Sequence, residues 1–161
     1  MKATRASTSS RAQRGVYAIE FAVVFMIFFS LLYAVICYGM LFAFRLGLQN
    51  AAEDGARAAL RYQSSLEERR QHAVAIATAQ SKWMPAVVQP VVSAQICAAE
   101  TNNCDPTKPA RCGIAWSHRC QVVVLVQANN LSSLLPPLPS FALPAQIVGN
   151  ASMLLDMRSG S

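Results

Sequence analysis

The sequence predicts an α+β protein in which a long N-terminal transmembrane helix continues into a small exported domain with a second helix and a short antiparallel sheet. Three observations predict it. An uncharged apolar run extends from Phe21 to Phe44. A helix-capping signal follows at Ser65-Leu66-Glu67-Glu68. Beyond Pro85 the texture changes to short aliphatic runs of strand character, with no βαβ alternation.

The first element is a basic leader, residues 1–15. Lys2, Arg5, Arg11 and Arg14 precede the apolar run with no acid among them. The run itself has only Ser30 and Gly39 outside the hydrophobic class and holds six of the seven Phe. At helical rise its 24 residues span about 36 Å, enough for a hydrocarbon core of about 30 Å with some tilt. By the positive-inside rule the leader is expected in the cytoplasm and the C-terminal part beyond the membrane. The excess of 14 Lys and Arg over eight Asp and Glu is therefore read as a topology signal. From Arg45 onward there are ten basic and seven acidic residues and no dense basic cluster interleaved with aromatics, so nucleic acid is excluded as a partner.

The helix is expected to continue out of the membrane, the whole segment covering 16–62. Along it Gly39, Ala43, Gly47, Ala51, Gly55 and Ala59 recur every four residues. Small residues at this spacing let helix backbones approach closely. Each step of four advances about 40° past a full turn, so the stripe winds around the helix and is expected to meet different neighbours along its length.

The remainder, 63–161, is the exported domain. Ser65 as N-cap and Glu68 three residues on start a second helix, which reaches Lys82 or Trp83 and stops at Pro85. A first strand is expected in Ala86–Ile96, interrupted by Pro90. A second, the strongest, is expected in Gln121–Gln127 and a third in Gln146–Met157. Leu134 to Pro139 reads as a stiff Pro-rich connection.

Cys97, Cys104, Cys112 and Cys120 lie between the first two strands, in the loop 97–120. On an oxidising export side they read as two disulfides. Three pairings are open. Antiparallel pairing of the flanking strands favours Cys97–Cys120 across the neck, with Cys104–Cys112 nested inside. Cys37 lies in the span and reads as an inert apolar residue. The spacings contain no C-x2–4-C pair for zinc and no C-x-x-C for thiol exchange. His118 beside Cys120 has no third member for nucleophilic catalysis, and His72 reads as solvated surface. No phosphate-binding glycine loop or metalloprotease helix is present. No catalytic residue, no metal and no cofactor are expected. Lys108, Arg111, His118 and Arg119 make the 97–120 loop mildly basic.

The leader's junction with the span carries the sharpest pattern. Gly15 is followed by Val16-Tyr17-Ala18-Ile19, then Glu20 and Phe21. A carboxylate at the lip of a membrane span is costly and points to function. The pattern resembles the type IV prepilin processing motif. With Asn50-Ala51-Ala52 and Gly55-Ala56-Arg57, the chain resembles the TadE-like pseudopilin family of the tight-adherence (Tad/Flp) pilus system over about Arg14 to Ala58. The resemblance implies a pilin-like fold and cleavage between Gly15 and Val16 by a prepilin peptidase. Glu20 and Phe21 would serve peptidase recognition and assembly, Glu20 pairing with the new amine of a neighbouring subunit. It further implies other pilin or pseudopilin subunits, an assembly platform and membrane lipid as partners. The location implied is the bacterial inner membrane, single-pass, with the C-terminal domain periplasmic or in the pilus. Two other readings compete: an uncleaved membrane-anchored binding module with a stapled periplasmic loop, and a minor pseudopilin of a type II secretion system.

Overall fold

The computed structural model describes residues 13–88, 90–100, 104, 112–115, 118–130, 133 and 143–155. The leader before Gln13, Lys108 and Arg111, the Pro-rich connection and the chain end after Leu155 lie outside them. Two units divide the chain, Met1–Gly39 and Met40–Ser161.

Helix α1 runs Gln13–Ala58, four residues short of the expected end. Its final turn leads into Ala59 and Leu60, whose amides reach back to Gly55 and Arg57 carbonyls. Within the first unit the α1 side chains are almost all exposed, including Phe21, Phe25 and Phe28. The helix is long and apolar enough to cross a membrane.

In the second unit, helix α2 runs Leu66–Ser81. Its sequence carries its own start signal: the Ser65 hydroxyl accepts from the Glu68 amide at 3.1 Å. The Glu68 carboxylate returns to the backbone amide of Ser64 at 3.1 Å, one residue earlier than the capping box predicts. Glu67 accepts from Arg70 and Gln71, and these bonds hold its carboxyl well down, at about 2.

Pro90 divides the first aliphatic run as expected. Ala86–Val88 forms a 3-10 turn, and the strand starts only after the proline, as β1, Val91–Ala98. Strand β2 is Cys120–Asn129 and β3 is Gln146–Leu154. They form one antiparallel sheet in the order β1-β2-β3. Asn130 ends β2 with φ of 60°, a left-handed conformation that asparagine tolerates.

Alternation along β2 separates two faces. Cys120, Val122, Val124, Val126 and Ala128 are buried on the face that meets Leu48, Ala51, Ala52 and Ala56 of α1 and Ala73 and Ala77 of α2. The largest fully buried side chains of this core are Leu48, four valines and Cys120, with no aromatic among them. A core of such small residues depends on close backbone approach, and glycines supply it at two places. A Cβ on Gly55 would stand 2.8 Å from Ala77 Cβ and 2.9 Å from the Ala73 carbonyl oxygen. A Cβ on Gly149 would stand 2.4 Å from the Leu48 carbonyl oxygen.

The disulfides correct the expected pairing. Cys97 is joined to Cys104 and Cys112 to Cys120, with Cα separations of 4.5 and 5.4 Å. The reason is strand register. Ala98 lies opposite Cys120, and Cys97 lies opposite Gln121. Residues directly opposite share a face and successive residues alternate. Cys97 and Cys120 therefore stand on opposite faces of the sheet, and each finds a partner in the loop instead.

Candidate functional site

Two regions carry the residues singled out in the sequence. The first is the start of α1. Gly15, Val16, Glu20 and Phe21 all lie within the helix, and all are exposed. Nothing stands within 4 Å of a Cβ built on Gly15. Glu20 makes no ion pair among the described residues. Beyond it, Phe21, Phe25 and Phe29 form a ladder with ring centroids 6.0 Å apart and interplanar angles of 23° and 19°. Tyr17 and Tyr33 extend the same four-residue spacing. The ladder is legible as a spacing in the sequence, though the count of phenylalanines conceals it.

The second region is the glycine and alanine box on the later part of α1. Ala51, Ala52, Gly55, Ala56 and Ala59 are buried. Asn50 and Arg57 are exposed, and Arg57 lies 3.6 Å from Glu53 and 3.8 Å from Asp54. The small-residue stripe therefore has two fates. Gly39 and Ala43 are exposed, and nothing approaches Gly39 within 4 Å. Gly47, Ala51, Gly55 and Ala59 serve packing inside the chain: Gly47 lies under the Trp83 indole, and Gly55 receives α2 and Val124. The Trp83 ring also stacks on Phe44, with centroids 5.7 Å apart and planes within 5°.

Two polar contacts that the sequence does not announce fix α1 against its neighbours. Gln49 Nε2 donates to the Asn150 carbonyl at 2.9 Å, and the Asn150 amide donates to Gln49 Oε1 at 3.1 Å. A side-chain amide thus occupies the outer edge of β3 as a neighbouring strand would. The other contact corrects the reading of His72. It is half-buried, and its Nδ1 lies 3.2 Å from the Ala58 carbonyl oxygen at the end of α1. A carbonyl can only accept, so Nδ1 carries the proton. His72 closes one of the free carbonyls of a helix C-terminus. His72→Ala is expected to lower the stability of the second unit by about 1 kcal/mol, read as a shift of the urea midpoint in pulse proteolysis. An unchanged midpoint would refute the capping role.

The described residues of the second unit also line surface cavities. One, of about 360 Å³, is lined by Asp54, Arg57, Ala58, Arg61, Ile76 and Gln80. Another, of about 240 Å³, is lined by Ala99, Glu100, Arg119, Gln121 and Leu154 beside the disulfides. Among the described residues no three His, Cys, Asp or Glu side chains gather as a metal site. Neither cavity brings together a nucleophile, a base and an orienting group, which acyl or phosphoryl transfer would require.

Comparison with known families gives a match over part of the chain. The family model described as TadE-like protein matches residues 15–57. That segment starts at Gly15, includes Glu20 and the glycine and alanine box, and ends at Arg57. No curated protein and no solved structure matches the chain.

Proposed function

Because residues 15–57 match the TadE-like family, we propose that the chain is a minor pilin-like protein that acts in assembly or initiation of a Tad-type pilus. It is a structural and assembly subunit without catalysis of its own. The observation that carries this reading is the family match over a helix whose first part is apolar and largely exposed, with an acid at its start that makes no ion pair among the described residues. Side chains of this kind have no place in water at such density, and a membrane or a bundle of like helices accommodates them.

In this reading the basic leader stays in the cytoplasm, α1 crosses the inner membrane once, and the C-terminal unit is periplasmic. A prepilin peptidase cuts between Gly15 and Val16. The cut creates an α-amine four residues from Glu20. A carboxylate near lipid needs a cationic partner, and the amine of a neighbouring subunit supplies one and sets axial register. The other pilin-like subunits and the assembly platform are the partners that this register serves.

N-terminal sequencing of the protein from a strain with an active prepilin peptidase is the test. The expected first residue is Val16. An intact Met1 would overturn the processing step and favour the uncleaved anchored binding module. Glu20→Ala is expected to leave membrane insertion intact and to abolish co-purification with other pilin subunits. Unchanged co-purification would remove the register role while leaving the cleavage site standing.

A further inference from the structure

The end of the apolar run is marked structurally by one tryptophan. Trp83 follows α2, and its indole stacks on Phe44, the last residue of the run, at 5.7 Å. The same ring covers Gly47, where a Cβ would collide with the six-membered ring. Trp83 therefore extends from Phe44 to Gly47 along α1, about 4.5 Å at helical rise, and it straddles the point where uncharged sequence gives way to Arg45. It is 51% exposed. Its indole N–H donates to no protein group among the described residues. On α1, Phe42 and Leu46 are also exposed at this level. Arg45 and Lys82 are exposed beside them and form no ion pair among the described residues.

An apolar ring whose N–H finds no partner among the described residues, with cations on α1 and beside it in the chain at the same level and at the end of a membrane span, is the combination that suits the bilayer interface. There the ring lies among upper acyl chains, the N–H meets carbonyl or phosphate oxygens, and the cations meet anionic headgroups. We propose that Trp83, with Phe42, Leu46, Arg45 and Lys82, forms a lipid-contact collar that seats the base of the C-terminal unit in the headgroup region of an anionic bilayer. The collar rests on the reading of α1 as a membrane span. Its occupant is phospholipid because the patch continues the apolar run and adds only positive charge.

Depth-resolved fluorescence quenching tests the collar. The chain has two tryptophans, so Trp116→Phe leaves Trp83 as the sole reporter. The full chain is reconstituted into vesicles of phosphatidylcholine and phosphatidylglycerol carrying bromine at either a shallow or a deep acyl position. Shallow bromine is expected to quench at least about twofold more strongly than deep bromine. Arg45→Gln with Lys82→Gln, or omission of phosphatidylglycerol, is expected to weaken the shallow quenching. Trp83 quenched by aqueous iodide and not by bromolipid would overturn the collar, because the ring would then face water. Protection from both quenchers would overturn it too, because protein would then cover the ring. A carbonate wash separates this failure from that of the span. Retention in the membrane with Trp83 unquenched by lipid overturns the collar alone, whereas extraction of the chain overturns the span and the collar with it.

Discussion

Gly149→Val is expected to unfold the C-terminal unit at a much lower urea concentration than the parent chain. The atoms that a Cβ would meet there are backbone: the Leu48 carbonyl oxygen at 2.4 Å, its carbon at 2.5 Å and the Gln49 nitrogen at 2.7 Å. A flexible side chain could rotate away, but a helix backbone cannot. The conflict is one of space alone, because no glycine among the described residues has positive φ. Overpacking of a core costs about 1–3 kcal/mol, and valine adds two methyl groups beyond the Cβ that already collides. Separation of β3 from α1 would also strain the paired bonds between Gln49 and Asn150, each worth about 1 kcal/mol. Gly39→Ala provides the contrast. Nothing lies within 4 Å of its Cβ, so only helix propensity acts, and alanine is favoured by about 1 kcal/mol. Pulse proteolysis of the detergent-solubilised chain across a urea series measures both. Equal midpoints for Gly149→Val and the parent would show that β3 does not press on α1.

This contact illustrates what a single sequence discloses and what it conceals. The span, the Ser65 cap and the β2 run are legible because each is set by neighbouring residues: an uncharged apolar stretch, a hydroxyl three positions before a glutamate, consecutive aliphatics. The proline at position 90 likewise marks where β1 cannot begin. The interior use of Gly47 and Gly55 is not legible in the same way. Four-residue spacing states that a helix can be approached closely, but it does not state by what. Here α2 and Trp83 take the later half of the stripe, while Gly39 and Ala43 stay exposed. Gln49 and His72 are concealed for a similar reason. Their partners, Asn150 and Ala58, are backbone groups, and any residue type supplies those. In the candidate site, the pattern from Gly15 to Phe21 was readable as a motif, and the structure adds that its acid is unpaired among the described residues.

The match to the TadE-like family and the packing on α1 divide that helix into two tasks. Its first part offers side chains outward, with Glu20 and the aromatic ladder available to other molecules. Its later part offers small residues inward and forms a wall of the C-terminal core. The family match spans both tasks, since it runs from residue 15 to 57. A change at Gly55 is therefore expected to act on folding, and a change at Glu20 on association. The two classes of variant should separate when unfolding and co-purification are measured on the same preparations.

Loss of the Cys112–Cys120 bridge is expected to harm the fold more than loss of Cys97–Cys104. By chain entropy the two are nearly equal, at about 2.5 kcal/mol each for loops this short. Their surroundings differ. Cys120 belongs to the buried cluster between the sheet and the helices, and Cys112 packs against it. Cys97 stands on the other face of the sheet, as its register opposite Gln121 requires. Replacing Cys112 and Cys120 by serine thus removes a bridge and puts a hydroxyl into an apolar core that offers it no designed partner, adding about 1–3 kcal/mol. In the Cys97→Ser and Cys104→Ser pair the hydroxyl at 97 is buried too, but outside the cluster that joins the sheet to the helices, so the packing of α1 and α2 on β2 is left intact. The pairing itself is open to a direct check, because trypsin cuts after Arg111 and Arg119 but not at Lys108, which precedes a proline. Without reduction, the peptide 83–111 should carry Cys97–Cys104 as an internal bond and stay separate. The peptide 112–119 should remain joined to 120–158. Either of the other two pairings would bind all three peptides into one species. Finding that species would refute the pairing Cys97–Cys104 with Cys112–Cys120; were its bonds Cys97–Cys120 and Cys104–Cys112, Cys97 and Cys120 would have to share a face of the sheet, which requires β1 to slip by one residue against β2.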